Sequence, residues 1–177
     1  MRGPFSSWFD AEHRALGKLI RKSLPDEGGV DIEAFDAFRR KLVQHIAVQE
    51  RVFFPALISR MGHEPLYRGA LTKDHGGLVS ACVPTPGREW VQELWNLLEV
   101  HHTVERADDG FARHCDHHLG HEAKELFEKA DALPPIELPP FETGPGLRRR
   151  IAELLVAAGL PTPAVRQHSH EHHDAVH

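Results

Sequence analysis

Apolar residues recur every three or four positions through most of this chain, and this spacing restricts its fold more than any other feature. Such a period places apolar side chains along one face of an α-helix, whereas a strand needs a two-residue alternation, which no stretch here shows. Turn-forming residues interrupt the pattern at PDEGG, at VPTPG and in the proline-rich stretch after residue 131. The sequence therefore predicts an all-α protein with four helices, over about residues 5–24, 31–61, 64–82 and 88–130.

Several residues predict where these helices begin, bend and end. Asp31 fits the N-cap of the second helix, and Gly62 fits the position just after its last turn. Pro55 lies inside that helix and cannot donate a backbone hydrogen bond, so we expect a bend or a loosened turn there. ADDG, residues 107–110, is a possible interruption of the fourth helix, but we expect the chain to reverse at PTPG instead.

Charge and cysteine content exclude several classes of protein. The net charge is −5 with acids and bases interspersed, which leaves no basic patch for nucleic acid. No apolar run approaches the length of a membrane span, and the first residues lack the apolar stretch of a signal peptide. Two cysteines are too few for a disulfide framework. These features predict a cytoplasmic protein that binds neither nucleic acid nor membrane.

Histidine is over-represented, with fifteen in the chain, and its placement is informative. Each predicted helix carries one histidine in phase with its own apolar stripe: His13, His45, His75 and His118. Glu122 lies four residues after His118, so both side chains project from the same helical face. Buried imidazoles need polar partners, and helices that face one another can bring such side chains together around a cation. The pattern therefore predicts a metal centre in the core.

The same residues resemble a known family. The order of the histidines, together with HIAVQERVFFPAL (45–57) and HLGHEAKELF (118–127), is similar to that of hemerythrin-like, or HHE cation-binding, domains. The resemblance covers residues 5–131 and implies an up-down-up-down four-helix bundle around a non-haem centre that usually holds two irons. The metal ligands that it implies are His13, His45, His75, His118 and Glu122.

Two positions depart from the family pattern. The carboxylate expected four residues after His45 is replaced by Gln49, a neutral and weaker ligand, and Glu50 is the alternative ligand. A helical projection places Gln49 at the centre of the stripe and turns Glu50 about 100° away. Val79 stands where the family's oxygen carriers have a second histidine. We therefore include Gln49 in the predicted site and expect one of two metal positions to be weakened or lost.

Other histidines and one cysteine admit two interpretations each. His101 and Glu105 form a second pair with i, i+4 spacing, which we interpret as an interhelix or surface hydrogen bond, with a second ligand set as the alternative. Cys115 is interpreted as a small buried apolar residue, with a redox role as the alternative. Three further histidines are interpreted as a solvated flank, with the capture of surface metal as the alternative: His114, His117 and His121.

The two parts of the chain differ in composition. Residues 1–131 should form the bundle, whereas residues 132–177 should comprise a proline-rich tether, one short amphipathic helix and a disordered, histidine-rich tail with a possible role in metal capture. The favoured function is a protein that binds iron, as one or two ions, and binds or senses dioxygen, peroxide or nitric oxide. Zinc or manganese is an alternative metal. The alternative functions are a peroxide-consuming enzyme and a metal buffer. The enzyme is less favoured than the binding or sensing protein.

Overall fold

A computed structural model describes residues 2–144 and 146–157 of the chain. Within these ranges the protein is all-helical and has no β-strand, as the sequence predicts; one isolated bridge joins Pro84 to Glu142. The α-helices in chain order are α1 (Pro4–Lys22), α2 (Ile32–Val48), α3 (Phe54–Met61), α4 (Arg68–Ala81), α5 (Arg88–Glu105), α6 (Phe111–Leu119), α7 (Ala123–Asp131) and α8 (Leu147–Ala157). None of these described helices combines the length and the apolar character that crossing a bilayer requires.

The helix ends follow local chemistry. Asp31 caps α2 as predicted, because its carboxylate accepts a 3.0 Å hydrogen bond from the Ala34 amide. Gly62 follows α3 in the left-handed conformation, with φ of 77°, also as predicted. The start of α1 is capped by another helix: Asp116 of α6 accepts hydrogen bonds from the amides of Phe5 and Ser6. This cap fixes α6 against α1.

The predicted irregularity near Pro55 is a π-helical turn over Gln49–Phe53, between α2 and α3. The Phe54 amide donates to the Gln49 carbonyl, five residues earlier, so this turn holds one residue more than an α turn. The wider turn shifts the helical phase after it. Phe54 and Leu57 are consequently the buried residues of α3, rather than the predicted Ala56.

Two breaks divide the segment predicted as the third and fourth helices. Residues 82–87, which contain PTPG, separate α4 from α5, and residues 106–110 separate α5 from α6. Gly110 packs so closely on the end of α5 that a Cβ there would lie 2.6 Å from the Val104 carbonyl oxygen and 2.8 Å from that of Glu105. The expectation of one helix through residue 130 is therefore wrong, because this tight turn ends α5 and starts α6 as a separate helix.

The buried apolar side chains form two clusters. One contains Leu16, Leu42 and Leu78, and the other contains Phe9 and Leu71. Because Leu71 and Leu78 both belong to α4, that helix runs from one cluster to the other, and so do α1 and α2. In each of these helices, the residues between its members of the two clusters therefore lie between two apolar layers.

The segment after α7 is fixed to the helices at both ends. Gln44 donates to the Leu133 carbonyl and accepts from the Ile136 amide, while Ile151 and Leu155 of α8 join the first apolar cluster. The amphipathic helix predicted after the tether is thus present and packs on the core. The prediction of a disordered, histidine-rich tail concerns residues 168–177, which lie outside the described ranges.

Candidate metal centre

Buried histidines and one glutamate meet between the two apolar clusters. They form two groups, and within each group the candidate ligand atoms all lie within 4.8 Å of one another. The first group is His13, His45, His102 and Glu105; the second is His75, His101 and Glu105. These side chains come from α1, α2, α4 and α5, and Glu105 belongs to both groups. Imidazole nitrogens and a carboxylate within this distance could hold a metal ion.

Glu105 turns a different oxygen toward each group. Its Oε2 lies 2.9 Å from His13 Nε2 and 4.0 Å from His45 Nε2. Its Oε1 lies 3.2 Å from His101 Nε2 and 4.0 Å from His75 Nε2. A carboxylate with one oxygen on each side is placed to contact two cations at once.

Many of these polar atoms lack a hydrogen bond. Within the described part of the chain, the buried atoms of the cluster without one are His13 Nδ1 and Nε2, His45 Nδ1, Gln49 Oε1, His75 Nε2, His101 Nε2, His102 Nδ1 and Nε2, and both Glu105 oxygens. Some of these atoms lie close to one another but do not meet the geometry of a hydrogen bond; His13 Nε2 and Glu105 Oε2 are an example. Each buried unsatisfied group costs about 1–3 kcal/mol. A cation at the centre would satisfy several of them together, so the donor set fits a metal.

Burial and mutual proximity set the charges in the cluster. Burial lowers the pKa of His13 to about 4, and burial with neighbouring His13 lowers the pKa of His102 to about 2. Burial acts in the same direction on His101, but Glu105 and Asp74 outweigh it and raise its pKa to about 9. Burial would raise the pKa of Glu105, yet His101 and its neighbours hold it well below the usual value. His13 and His102 are therefore neutral near pH 7, with lone pairs free for a cation. Burial also opposes a charge on His45, but Glu105 and Glu12 outweigh it and raise its pKa, so Glu105 favours protons on both His101 and His45.

The rings of His13 and His102 also stack on each other. Their centroids lie 3.6 Å apart and the rings are 8° from parallel. Both side chains are buried, and Trp8 stacks on His45 at 5.4 Å in the same region. The imidazoles of the first group are therefore held by packing against rings, which limits their rotation.

Gln49 and Glu50 take different positions. Gln49 is fully buried, and its Nε2 lies 2.7 Å from His45 Nε2, the ring nitrogen that faces Glu105. Glu50 instead contacts His75 at Nδ1, at 2.6 Å, and pairs with Arg68 at 2.7 Å. Gln49 thus lies at the cluster, while Glu50 lies behind a histidine, on the side away from Glu105.

Comparisons of the chain with family models, with curated proteins and with solved structures each found no match.

The structure brings together four of the six residues predicted for the site: His13, His45, Gln49 and His75. It places His118 and Glu122 elsewhere. His118 is half-buried on α6 with its ring 4.6 Å from that of His117, and Glu122 pairs with Arg60. The physical reason is the break before α6, whose buried face consists of Phe111, Cys115 and Leu119 and packs in an apolar cluster.

His101, His102 and Glu105 occupy the place that the sequence analysis gave to His118 and Glu122. The side chains of His101 and Glu105 are 2% and 0% exposed, so they do not form a surface pair. The interhelix part of the favoured interpretation agrees with the 3.3 Å contact between His101 of α5 and Asp74 of α4. The alternative interpretation, a second ligand set, agrees with their position. A signal for it was present, because His101 continues the stripe of Leu94 and Leu98, and Glu105 lies one turn further along the same face.

Proposed function

We propose that this chain is a hemerythrin-like protein whose buried cluster holds non-haem iron and binds or senses a small oxidant such as dioxygen, peroxide or nitric oxide. Glu105 is the strongest support, because its two oxygens face two groups of imidazoles and could join two ions. The ligands in this proposal are His13, His45, His75, His101, His102 and Glu105, with Gln49 beside them. Bound iron would supply the redox chemistry.

The helix contacts support the family's bundle architecture. α1 contacts α2, α2 contacts α4, α4 contacts α5, and α5 contacts α1. Four helices in such a closed ring, each carrying ligands to its interior, are the arrangement in which bundles build metal sites. In this interpretation α2 and α3 form one bent helix, and α6, α7 and α8 pack outside the ring.

The ligand types favour iron. His75, His101 and Glu105 are two imidazoles and one carboxylate, a set typical of non-haem Fe(II) sites that keep open positions for oxygen species. Soft thiolate ligands are not offered, since Cys82 and Cys115 lie in the apolar clusters. Three protein ligands leave room for an exogenous molecule, whereas a structural zinc site is usually closed by four.

Two cavities lead from the surface toward the cluster. One, of about 580 Å³, is lined by Trp8, Gln44 and Ile136 and reaches His45. The other, of about 330 Å³, is lined by Arg14 and other charged residues and reaches His13. Either has ample room for a two- or three-atom oxidant. The apolar layers above and below the cluster would keep bulk water from those two sides, which leaves the cavities as the routes of access.

Anaerobic Fe(II) titration followed by exposure to dioxygen, peroxide or nitric oxide tests the proposal. We expect saturable iron binding and a new charge-transfer absorption when the oxidant is added. His101→Ala should reduce both, whereas the matched variant His118→Ala should leave both unchanged, because His118 lies outside the cluster. Iron that binds equally to both variants, or an absorption spectrum indifferent to every oxidant, would refute the proposal. Steady gas evolution from peroxide would instead indicate catalytic turnover.

A further inference from the structure

The outer nitrogens of His75 and His101 each contact a carboxylate. Glu50 Oε1 lies 2.6 Å from His75 Nδ1, and Asp74 Oδ2 lies 3.3 Å from His101 Nδ1. Both carboxylates are largely outside the cluster, with side chains 23% and 21% exposed. Because a carboxylate can only accept, each of these contacts requires the proton to be on Nδ1. When the ring is neutral, as a metal ligand must be, its lone pair is then on Nε2, the nitrogen that faces Glu105.

The other group of histidines lacks this arrangement. His45 Nδ1 is 3.8 Å from Glu12, and His102 Nδ1 is 3.8 Å from Glu99, so neither contact is a hydrogen bond. His13 has no hydrogen bond at either ring nitrogen within the described residues. The hydrogen-bonded carboxylates therefore serve only one of the two groups, the one with fewer imidazoles.

Glu50 is itself fixed by further contacts. Arg68 donates to both of its oxygens, at 2.7 and 3.3 Å, and the Thr72 hydroxyl donates at 3.3 Å. The Arg68 guanidinium also lies over the Phe54 ring, at 4.2 Å. These contacts hold the carboxylate in one place. Asp74 precedes His75 on α4 and reaches across to α5, so it links the two helices of this group.

We propose that Glu50 and Asp74 are positioning residues that fix His75 and His101 in the metal-binding tautomer and make them stronger donors to one ion. This inference rests on the proposed function, because it assumes that the group of His75, His101 and Glu105 holds an ion. Carboxylates behind ligating histidines fix the ring orientation and raise the basicity of the ligand, and their loss typically costs 10–100-fold in metal affinity. Here they compensate for a group with only two imidazoles.

The test is anaerobic Fe(II) titration of Glu50→Gln and Asp74→Asn, monitored by calorimetry. The midpoint potential of the bound iron is then measured for each variant. Each variant should weaken one ion by about 10–100-fold and leave the affinity of the other unchanged. Each should also raise the midpoint potential, because a less basic imidazole stabilises the oxidised ion less. A purely structural role would not shift the potential. Asp36→Asn is the matched control, since Asp36 pairs with Arg39 and Arg40 and contacts no histidine in the described structure.

Thermal unfolding of the iron-free variants separates positioning from folding. Their melting temperatures should stay close to that of the unmodified protein, and Asp74→Asn also covers the case in which Glu50→Gln destabilises the protein by leaving Arg68 unpaired. Unchanged affinity and potential in both variants, with iron still bound by the unmodified protein, would overturn the positioning role alone. Failure of the unmodified protein to bind iron would overturn the proposed function itself.

Discussion

Glu105→Gln should weaken metal binding in both groups at once. Glu105 is the only residue that the two groups share, whereas His75 belongs to one of them. Loss of Glu105 removes a direct ligand and the one negative charge at the centre, so we expect affinity to fall by at least about 100-fold, the upper end of the effect of an outer-shell partner. His75→Ala should instead weaken one ion and leave the other in place.

Thermal unfolding with and without metal measures these differences in affinity as differences in melting temperature. At a free metal concentration of 100 times the dissociation constant, each bound ion stabilises the folded protein by about 2.7 kcal/mol. For a chain of this size, about 1 kcal/mol corresponds to ~2–4 °C in melting temperature, so each ion should contribute ~5–11 °C. A 100-fold loss of affinity brings the same solution to the dissociation constant, where the stabilisation is only about 0.4 kcal/mol, or ~1–2 °C.

Elemental analysis should accompany the melts. We expect metal contents that fall in the order unmodified protein, His75→Ala, Glu105→Gln. Glu122→Gln is the matched control, because this half-exposed glutamate also lies four residues after a histidine but pairs with Arg60. A Glu105→Gln variant that keeps the metal content and the melting shift of the unmodified protein would refute the role of Glu105 as a shared ligand. Equal loss of metal in Glu122→Gln and Glu105→Gln would refute it as well.

Four further predictions address other parts of the molecule. Gln49→Glu should raise the metal content toward two ions and strengthen oxo-bridge absorption, because it adds a charge at a fully buried position beside His45; an unchanged content by elemental analysis would contradict this. Metal binding should release at least one proton near pH 7–8, because the pKa of His101 is about 9, the pKa of His45 is also raised, and a ligating nitrogen must be unprotonated. A pH-stat titration measures the released protons, and the affinity should rise with pH over this range. Asp116→Ala should lower the free energy of unfolding by about 1–2 kcal/mol in urea denaturation, because α1 loses its cap. Gly3→Ala should lower it as well, because the added Cβ would lie 2.2 Å from Asp116 Cγ and displace the capping carboxylate. Phe111→Ala should cost about 3–5 kcal/mol by the same assay, with metal content retained, because this fully buried ring stacks in an apolar cluster away from the histidines.

Local periodicity predicted the inward-facing histidines of the first helices. His13, His45 and His75 each lie in the middle of an apolar stripe, so the phase of a single helix was enough to place them in the core. The same holds for Gln49, because the π-helical turn begins at that residue and changes the phase only after it.

The site residues of α5 could not be predicted from the periodicity of apolar residues. His101 and His118 both lie within the segment predicted as one helix, and both are followed by a glutamate at i+4. Which pair reaches the centre is decided by where the helix ends, and that end depends on the close packing of Gly110 against the carbonyls of α5. Helical phase cannot be continued across such a turn, so spacing alone could not separate the two pairs.

The π-helical turn at Gln49–Phe53 makes this helix unusually tolerant of a change in chain length. An ordinary helix that loses one residue rotates everything beyond the deletion by about 100°, which would expose a buried face. Here the turn already holds one residue in excess, so removal of Gln49 would restore a regular α-helix while α2 and α3 kept their buried faces. The same deletion would leave Glu50 four residues after His45. A shortening of the chain by one residue would therefore replace the carboxamide beside His45 with a carboxylate, and would take that carboxylate away from His75 and Arg68.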